Sequence, residues 1–163
     1  MLAADNIIYE KEKKLGKIKY NEKSYHTSKI MRYYVEKNLT KKNTEKELLK
    51  VYKKLKKNKK YQISINDVIL LESLKSDGFV IPKEINYKKI SANLLPPVEL
   101  LNLIKNEEIG LVLLRIVELV GEDELVDLDS QTIYLINNLF EKAGLIKLRN
   151  KILITVLPDR AEI

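Results

Sequence analysis

The sequence has 163 residues, of which 45% are apolar, with no Cys, no Trp, one His and a formal net charge of +7. This apolar content can fill a core and excludes wholesale disorder. The absence of cysteine excludes disulfides, a thiol nucleophile and Cys-ligated metal sites, and a single histidine excludes any site that needs two. The length fits one domain, or one domain with a basic arm.

The charge is divided unevenly along the chain. Residues 1–90 hold 23 Lys or Arg against 11 Asp or Glu, a net of +12, whereas residues 91–163 hold 7 against 12, a net of −5. Such a split indicates a nucleic-acid arm, a membrane-surface arm or an intramolecular docking pair. The excess of 26 Lys over 4 Arg is also typical of an AT-rich bacterial genome, but codon bias does not explain why the two halves differ.

Residues 1–23 are expected to be a flexible N-terminal segment. They lack the apolar run of an intact signal peptide, which favours an ordinary chain end and, by default, the cytoplasm. The small residues of the Leu2-Ala3-Ala4 start also fit the remnant of a cleaved signal peptide. In that alternative the protein would be periplasmic.

A basic helical region is predicted over residues 24–90. Ser24 can cap its first helix, and Gly78 ends its third with the left-handed conformation that glycine adopts easily. The second helix is the strongest, because Thr44 and Glu47 match a capping box in which each side chain satisfies a backbone N–H. From their apolar spacing, the three helices are predicted over residues 24–38, 44–60 and 66–77.

An acidic helical-hairpin domain is predicted over residues 91–163, after a polar connector at 83–94. Gly121 and Gly144 punctuate the helical pattern, and the short connectors indicate antiparallel neighbours. The fold class is therefore all-α, with helical hairpins in a bundle or a short solenoid-like array; a strand over Lys151–Leu157 is a minor alternative. The predicted helices cover residues 96–106, 107–120, 130–143 and 145–157.

The helix over residues 107–120 is the most apolar of these. Its own side chains are apolar on nearly all sides of the helix, which predicts a central buried helix. It is shorter than the roughly 20 residues needed to cross a bilayer, and Arg115 and Glu118 interrupt it. Gly110 is unfavourable inside a helix, and we expect a neighbouring helix to come close there.

The glycine and proline punctuation resembles that of a known group of helical proteins. The pattern comprises residues 70–82, Leu95-Pro96-Pro97, Ile109-Gly110-Leu111, Gly121-Glu122-Asp123 and Ala143-Gly144-Leu145. It is similar to the C-terminal helical region of uncharacterised alphaproteobacterial proteins, although lysine stands here where those proteins are richer in Ala and Arg. The resemblance implies a helical fold and, since that group has no assigned activity, supplies no catalytic residue.

The sequence predicts no catalytic, cofactor-binding or metal-ligating residue. His26 would need a nucleophile and an orienting carboxylate, and no Gly-x-Ser-x-Gly elbow is present, so we expect a surface histidine. Glycine-rich phosphate loops are also absent. The acidic loop lacks the alternating ligands and turn glycine of a calcium site and is interpreted instead as a candidate docking loop: Glu122, Asp123, Glu124, Asp127 and Asp129.

The basic arm is the best candidate for contacts with an anion or a partner. Its lysines can neutralise phosphates, and the interleaved tyrosines Tyr33, Tyr34, Tyr52 and Tyr61 can stack on unpaired bases. A solvated helix, an anionic lipid and an acidic protein partner are the alternatives. The candidate contact residues are Lys46, Lys50, Lys53, Lys54, Lys56, Lys57 and Tyr52.

Together these patterns predict a non-enzymatic helical scaffold or adaptor that binds another protein through helix faces. A nucleic-acid-binding protein that uses the Lys/Tyr-rich arm is the alternative. We expect a protein partner and no integral membrane span, and self-association stays open. A large exposed apolar patch would favour the adaptor.

Overall fold

A computed structural model describes residues 15–36 and 38–163 of the chain. Within these residues the fold is mostly helical, with one two-stranded sheet, which confirms the all-α class. The predictions for the Leu2-Ala3-Ala4 start lie outside the described residues. The elements are β1 Ile18–Lys19, α1 Arg32–Val35, α2 Lys41–Lys57, α3 Ile65–Ser76, α4 Lys88–Ala92, α5 Val98–Lys105, α6 Ile109–Val120, α7 Ser130–Lys142, α8 Ile146–Val156 and β2 Asp159–Arg160.

Helices α2 and α3 begin at side-chain caps, one of which differs from the prediction. Thr40 caps α2 by accepting from the Asn43 backbone N–H at 3.2 Å. Thr44, predicted as the cap, lies buried inside the helix and donates to the Thr40 carbonyl oxygen at 3.0 Å. Both threonines suit a cap by residue type, and the extended backbone at Thr40 decides between them.

The predicted helix over residues 24–38 is much shorter in the structure. It consists of a 3-10 turn at Lys29–Met31, capped by Ser28, followed by the single turn of α1. The residues before it are held in a local network, in which Thr27 donates to the Asn21 side chain at 2.7 Å. Such local side-chain hydrogen bonds compete with helix formation.

The last four helices match the predicted elements closely. The strand alternative at Lys151–Leu157 is wrong, because α8 runs through Val156. Helix α5 contacts α6, and α7 contacts α8. Their arrangement as antiparallel hairpins stays a prediction.

Helix α6 corrects the largest error in the predicted packing. Only Val112, Leu113, Ile116 and Val120 are buried, so α6 is not the central buried helix. Its main packing contacts are with α5 and α7, and most of its other residues are exposed to solvent. Sequence hydropathy counts apolar residues but does not count the neighbours available to cover them.

One hydrophobic core extends across both halves of the sequence. Helix α3 packs against α7, where Asn137 donates to the Ser73 hydroxyl at 3.2 Å. The first and last elements of the described residues meet in the small sheet, where β1 and β2 pair antiparallel. Gly16 is required there, because a Cβ atom would overlap the carbonyl oxygen of Ala161.

Candidate functional site

The lysines of α2 lie mainly on the side of the helix that faces away from the core. Leu48, Val51 and Leu55 form a narrow buried stripe, opposite which the helix is open to solvent. Exposed lysines follow that open side at spacings of three and four residues, which is the spacing of one helix face. We call Lys42, Lys46, Lys50, Lys53 and Lys57 the lysine stripe. None of the five forms an ion pair with a carboxylate in the described ranges.

The other predicted contact residues of the arm have partners within the chain. Lys54 donates to the Glu22 carboxylate at 2.5 Å. The Lys56 ammonium lies 5.6 Å from the centre of the Tyr52 ring, and Tyr52 is itself partly buried against the core. The structure therefore places Lys54, Lys56 and Tyr52 in contacts that stabilise the surface of α2.

The remaining tyrosines of the arm are also used inside the fold. Tyr34 is buried, and Tyr33 packs edge-on against Phe79 with ring centres 4.9 Å apart. The Tyr61 hydroxyl donates to the Asp67 carboxylate. The arm therefore presents lysines to an anion, but these three tyrosines do not form an open platform for base stacking.

The acidic loop is mostly exposed and lies between α6 and α7. Glu122, Asp123 and Asp127 are exposed, and Glu124 is half-buried. Asp129 caps α7, and hydrogen bonds from Thr132 hold its pKa below the usual value. In the described ranges, Glu122, Glu124, Asp127 and Asp129 form no ion pair with the lysine stripe. No described group of three or more His, Asp or Glu is arranged to hold a metal ion.

His26 is not a surface histidine, because its side chain is largely buried beside Asp67. Its Nδ1 lies 2.8 Å from Asp67 Oδ1, and its backbone N–H donates to the same oxygen at 3.1 Å. Tyr61 and the Ser64 backbone N–H donate to the other carboxylate oxygen. Burial alone raises the pKa of Asp67, but the hydrogen bonds from His26 and Tyr61 outweigh it and leave that pKa below its usual value.

A second buried polar cluster is centred on Arg149 in α8. The guanidinium is fully buried and donates to Asp77 at 2.6 Å and to Glu141 at 2.9 Å. The Tyr34 hydroxyl donates to the same Asp77 oxygen at 2.7 Å. Burial lowers the pKa of Arg149, but its bonds to these carboxylates outweigh that effect and raise it. The cluster ties α1, the end of α3, α7 and α8 together.

A third group, Glu72 and Tyr134, lines a groove between α3, α7 and the segment that contains α4. The Tyr134 hydroxyl donates to Glu72 at 2.6 Å. Burial raises the pKa of Glu72, which favours its protonated form more than in water. The rim of this groove carries apolar side chains, including the exposed Val80 and Leu95.

The exposed side of α6 carries large apolar side chains. Leu111, Leu114 and Leu119 are 49%, 54% and 42% exposed. The polar groups among them are weakly engaged: Arg115 is 3.3 Å from Glu118 and 3.5 Å from Glu99, and all three side chains are more than half exposed. We call Gly110, Leu111, Leu114, Arg115, Glu118 and Leu119 the outer face of α6.

Comparison of the chain with protein-family models, curated proteins and solved structures finds no match. None of the helices in the described residues has the length and hydropathy needed to span a bilayer.

The position of Gly110 within this surface departs from expectation. A neighbouring helix was expected beside it, but nothing in the described chain lies within 4 Å of where its Cβ would be. The backbone of Gly110 is not in the left-handed region either. Within one copy of the chain, neither packing nor backbone conformation requires glycine at this position.

Proposed function

We propose that the protein is a non-enzymatic helical adaptor that docks an amphipathic helix of a partner protein on the outer face of α6. The observation that carries this proposal is the exposure of Leu111, Leu114 and Leu119 on one short helix. Large exposed apolar side chains grouped in this way are typical of interaction surfaces. The partner helix would carry an apolar stripe for these leucines, with an acidic residue for Arg115 and a basic residue for Glu118.

The polar clusters inside the fold support a structural role more than a catalytic one. His26 is held by Asp67, but no hydroxyl of the described residues is hydrogen-bonded to its Nε2 atom, where a nucleophile would lie. Arg149 is enclosed by Asp77 and Glu141 and has no contact with solvent. These groups hold helices together, which suits a rigid scaffold.

Site-specific photo-crosslinking tests the docking surface. We expect a photoreactive amino acid in place of Leu114 to capture one discrete protein, which mass spectrometry identifies. Because burying a leucine is worth about 1.5–3 kcal/mol, Leu111→Gln combined with Leu119→Gln should weaken binding of the purified partner more than tenfold. Calorimetry measures that affinity.

Leu49 supplies the matched control, because it is also 49% exposed but lies on α2. A probe at Leu49 should not capture the same protein, and Leu49→Gln should leave the affinity unchanged. Equal capture at both positions, or binding that survives the double substitution on α6, contradicts the proposal.

A second function, binding of a nucleic acid, is favoured by the lysine stripe. Five lysines on one exposed helix side, without ion-pair partners among the described residues, can release counterions from a phosphate backbone. The tyrosines predicted to stack on bases are used inside the fold and do not support this function. Binding would therefore rest on phosphate contacts, which are independent of base sequence.

Salt dependence tests this second function. If the stripe binds duplex DNA or RNA, replacing Lys46, Lys50, Lys53 and Lys57 with Glu should abolish binding at moderate salt. The affinity of the unaltered chain should fall by roughly 0.9 logarithmic units per phosphate contact for each tenfold rise in salt. The control with the same charge change replaces Lys83, Lys88, Lys89 and Lys105, which are exposed on other segments. If both variants lose affinity equally, net charge and not the stripe accounts for binding.

A further inference from the structure

We propose that the cavity between α1 and α8 binds a small soluble phosphate monoester with an apolar body. The cavity has a volume of about 1120 Å³, which is close to the upper end of the roughly 300–1,000 Å³ found for small-molecule sites. Its walls come from α1, the start of α2, one face of α8 and the two-stranded sheet. No residue of α6 lines it, so the inference is independent of the proposed docking face.

The cations of this cavity come mainly from the acidic half of the chain. Residues 91–163 carry a net charge of −5 and hold only seven Lys or Arg, yet four of these seven line the cavity, together with Lys41. Asp77 is the only carboxylate among the described residues that line it. Codon bias would spread lysine along the whole chain, so this concentration of cations indicates an anionic ligand. The four cations are Lys147, Arg149, Lys151 and Arg160.

Two of the lysines retain donors for such a ligand. Arg149 is buried and is committed to its carboxylate partners. Lys147 is exposed and forms no ion pair with a described carboxylate. The Lys41 ammonium donates to the Asp77 carbonyl oxygen at 2.6 Å, which uses one of its three donors. The ammonium groups of Lys41 and Lys147 can therefore both donate to an anion in the cavity.

The position of Lys147 is unfavourable in the protein alone. It lies in the first turn of α8, which has no side-chain cap and no acidic residue, and a cation there opposes the helix dipole. Lys151 lies one turn further along the same helix face, and like charges at that spacing repel each other. A phosphate monoester carries close to two negative charges at neutral pH. Bound between the two lysines, it offsets both costs.

Apolar side chains line the rest of the cavity and account for the body of the ligand. Ile146 and Ile154 contribute from α8, and Leu39 contributes from the segment before α2. The half-buried Tyr33 adds an aromatic ring from α1. Inorganic phosphate would satisfy the lysines but leave these side chains in water, whereas the organic group of an ester covers them.

NMR titration of the full chain tests the site, with phenyl phosphate and adenosine 5′-monophosphate as probes at physiological salt. We expect at least one ester to shift the amide signals of Tyr33, Lys41 and residues 147–151 in a saturable manner. Inorganic phosphate and the uncharged phenol and adenosine should bind at least tenfold more weakly. If neither ester binds at about 10 mM, or if inorganic phosphate binds as tightly as the better ester, the inference is overturned.

Lys147→Glu distinguishes a binding residue from a structural one. The substitution should weaken binding of the better ester more than tenfold. It should also raise the melting temperature of the ligand-free chain, because an acidic residue in the first turn suits the helix dipole and pairs with Lys151. Loss of binding together with a gain in stability is not expected of a lysine that only stabilises the fold.

Lys53→Glu is the matched control, because it makes the same charge change at an exposed lysine of the lysine stripe. It lies 12 residues along α2 from Lys41, or about 18 Å. Its affinity for the ester should stay within about twofold of that of the unaltered chain. An affinity that survives Lys147→Glu, or one that Lys53→Glu reduces equally, contradicts the assignment of the site.

Two further measurements separate this site from the other surfaces. Leu111→Gln combined with Leu119→Gln should leave the affinity for the ester unchanged, so the docking face and the cavity can fail independently. Vesicles that contain phosphatidic acid offer the same phosphate chemistry on a lipid headgroup. Vesicle binding that Lys147→Glu removes, with no binding of either soluble ester, would overturn the soluble ligand in favour of a membrane surface.

Discussion

Replacing Arg149 with Met is expected to lower the free energy of unfolding by about 3–5 kcal/mol. Met retains much of the buried aliphatic volume but removes the cation, so Asp77 and Glu141 lose their charge partner in a largely buried site. Leaving one member of a buried pair uncompensated costs more than the pair itself contributes. Chemical denaturation at pH 7 measures the change.

Further substitutions at the partners of Arg149 distinguish the effect of its charge on stability from the effect of its packing. Adding Asp77→Asn and Glu141→Gln to Arg149→Met should recover part of the lost stability, since the unpaired charges are then gone. Arg115→Met is the exposed control, and it should cost under about 1 kcal/mol because its pairs lie in solvent. A loss at Arg149 no larger than the loss at Arg115 would show that the buried cation contributes little.

Replacing Asp67 with Asn is expected to lower the free energy of unfolding at pH 7 by roughly 2–3 kcal/mol. The carboxylate accepts from two atoms of His26, from Tyr61 and from the Ser64 backbone. Hydrogen bonds to a charged acceptor are worth about 1.5–3 kcal/mol each, and an amide cannot accept from all of these donors. Helix α3 would also lose half of its capping box.

Asp67 should also affect how the free energy of unfolding changes with pH under acidic conditions. Its pKa is lowered in the folded state from the ordinary value of 3.8. The contribution of Asp67 is therefore present above pH 4 and is lost as the pH falls through the folded-state pKa. Between pH 5 and 3 the unaltered protein should lose more stability than Asp67→Asn, measured by urea unfolding at each pH. Parallel curves would contradict this, and Asp127→Asn, at an exposed position, is the control.

The extent to which the sequence predicts the site depends on how far apart its residues lie along the chain. Helix α2 and its lysines were predictable, because apolar spacing and lysine content are local properties. The pairing of His26 with Asp67 spans 41 residues, and that of Arg149 with Asp77 spans 72. No local motif marks such pairs, although both Asp67 and Asp77 lie at the ends of α3, where acidic side chains are recognisable as capping candidates.

Some assignments failed because several residues satisfied the same rule. Thr40 and Thr44 are both suitable caps for α2, and Ser24 and Ser28 are both suitable caps for the helical turn that precedes it. The backbone conformation and the hydrogen bonds of neighbouring residues selected Thr40 and Ser28. Residue type defines the candidates, whereas local competition for hydrogen bonds selects one of them.

The sequence by itself determined the all-α class and most helix positions, because a helix satisfies its hydrogen bonds locally and its apolar spacing repeats every turn. Only the tertiary structure decided which apolar residues are covered. Helix α6 reads as apolar on nearly all sides, yet α5 and α7 cover only part of it and leave Leu111 and Leu114 in solvent. Burial depends on which other elements pack against a helix, and here the uncovered side of α6 is the surface we propose for a partner helix.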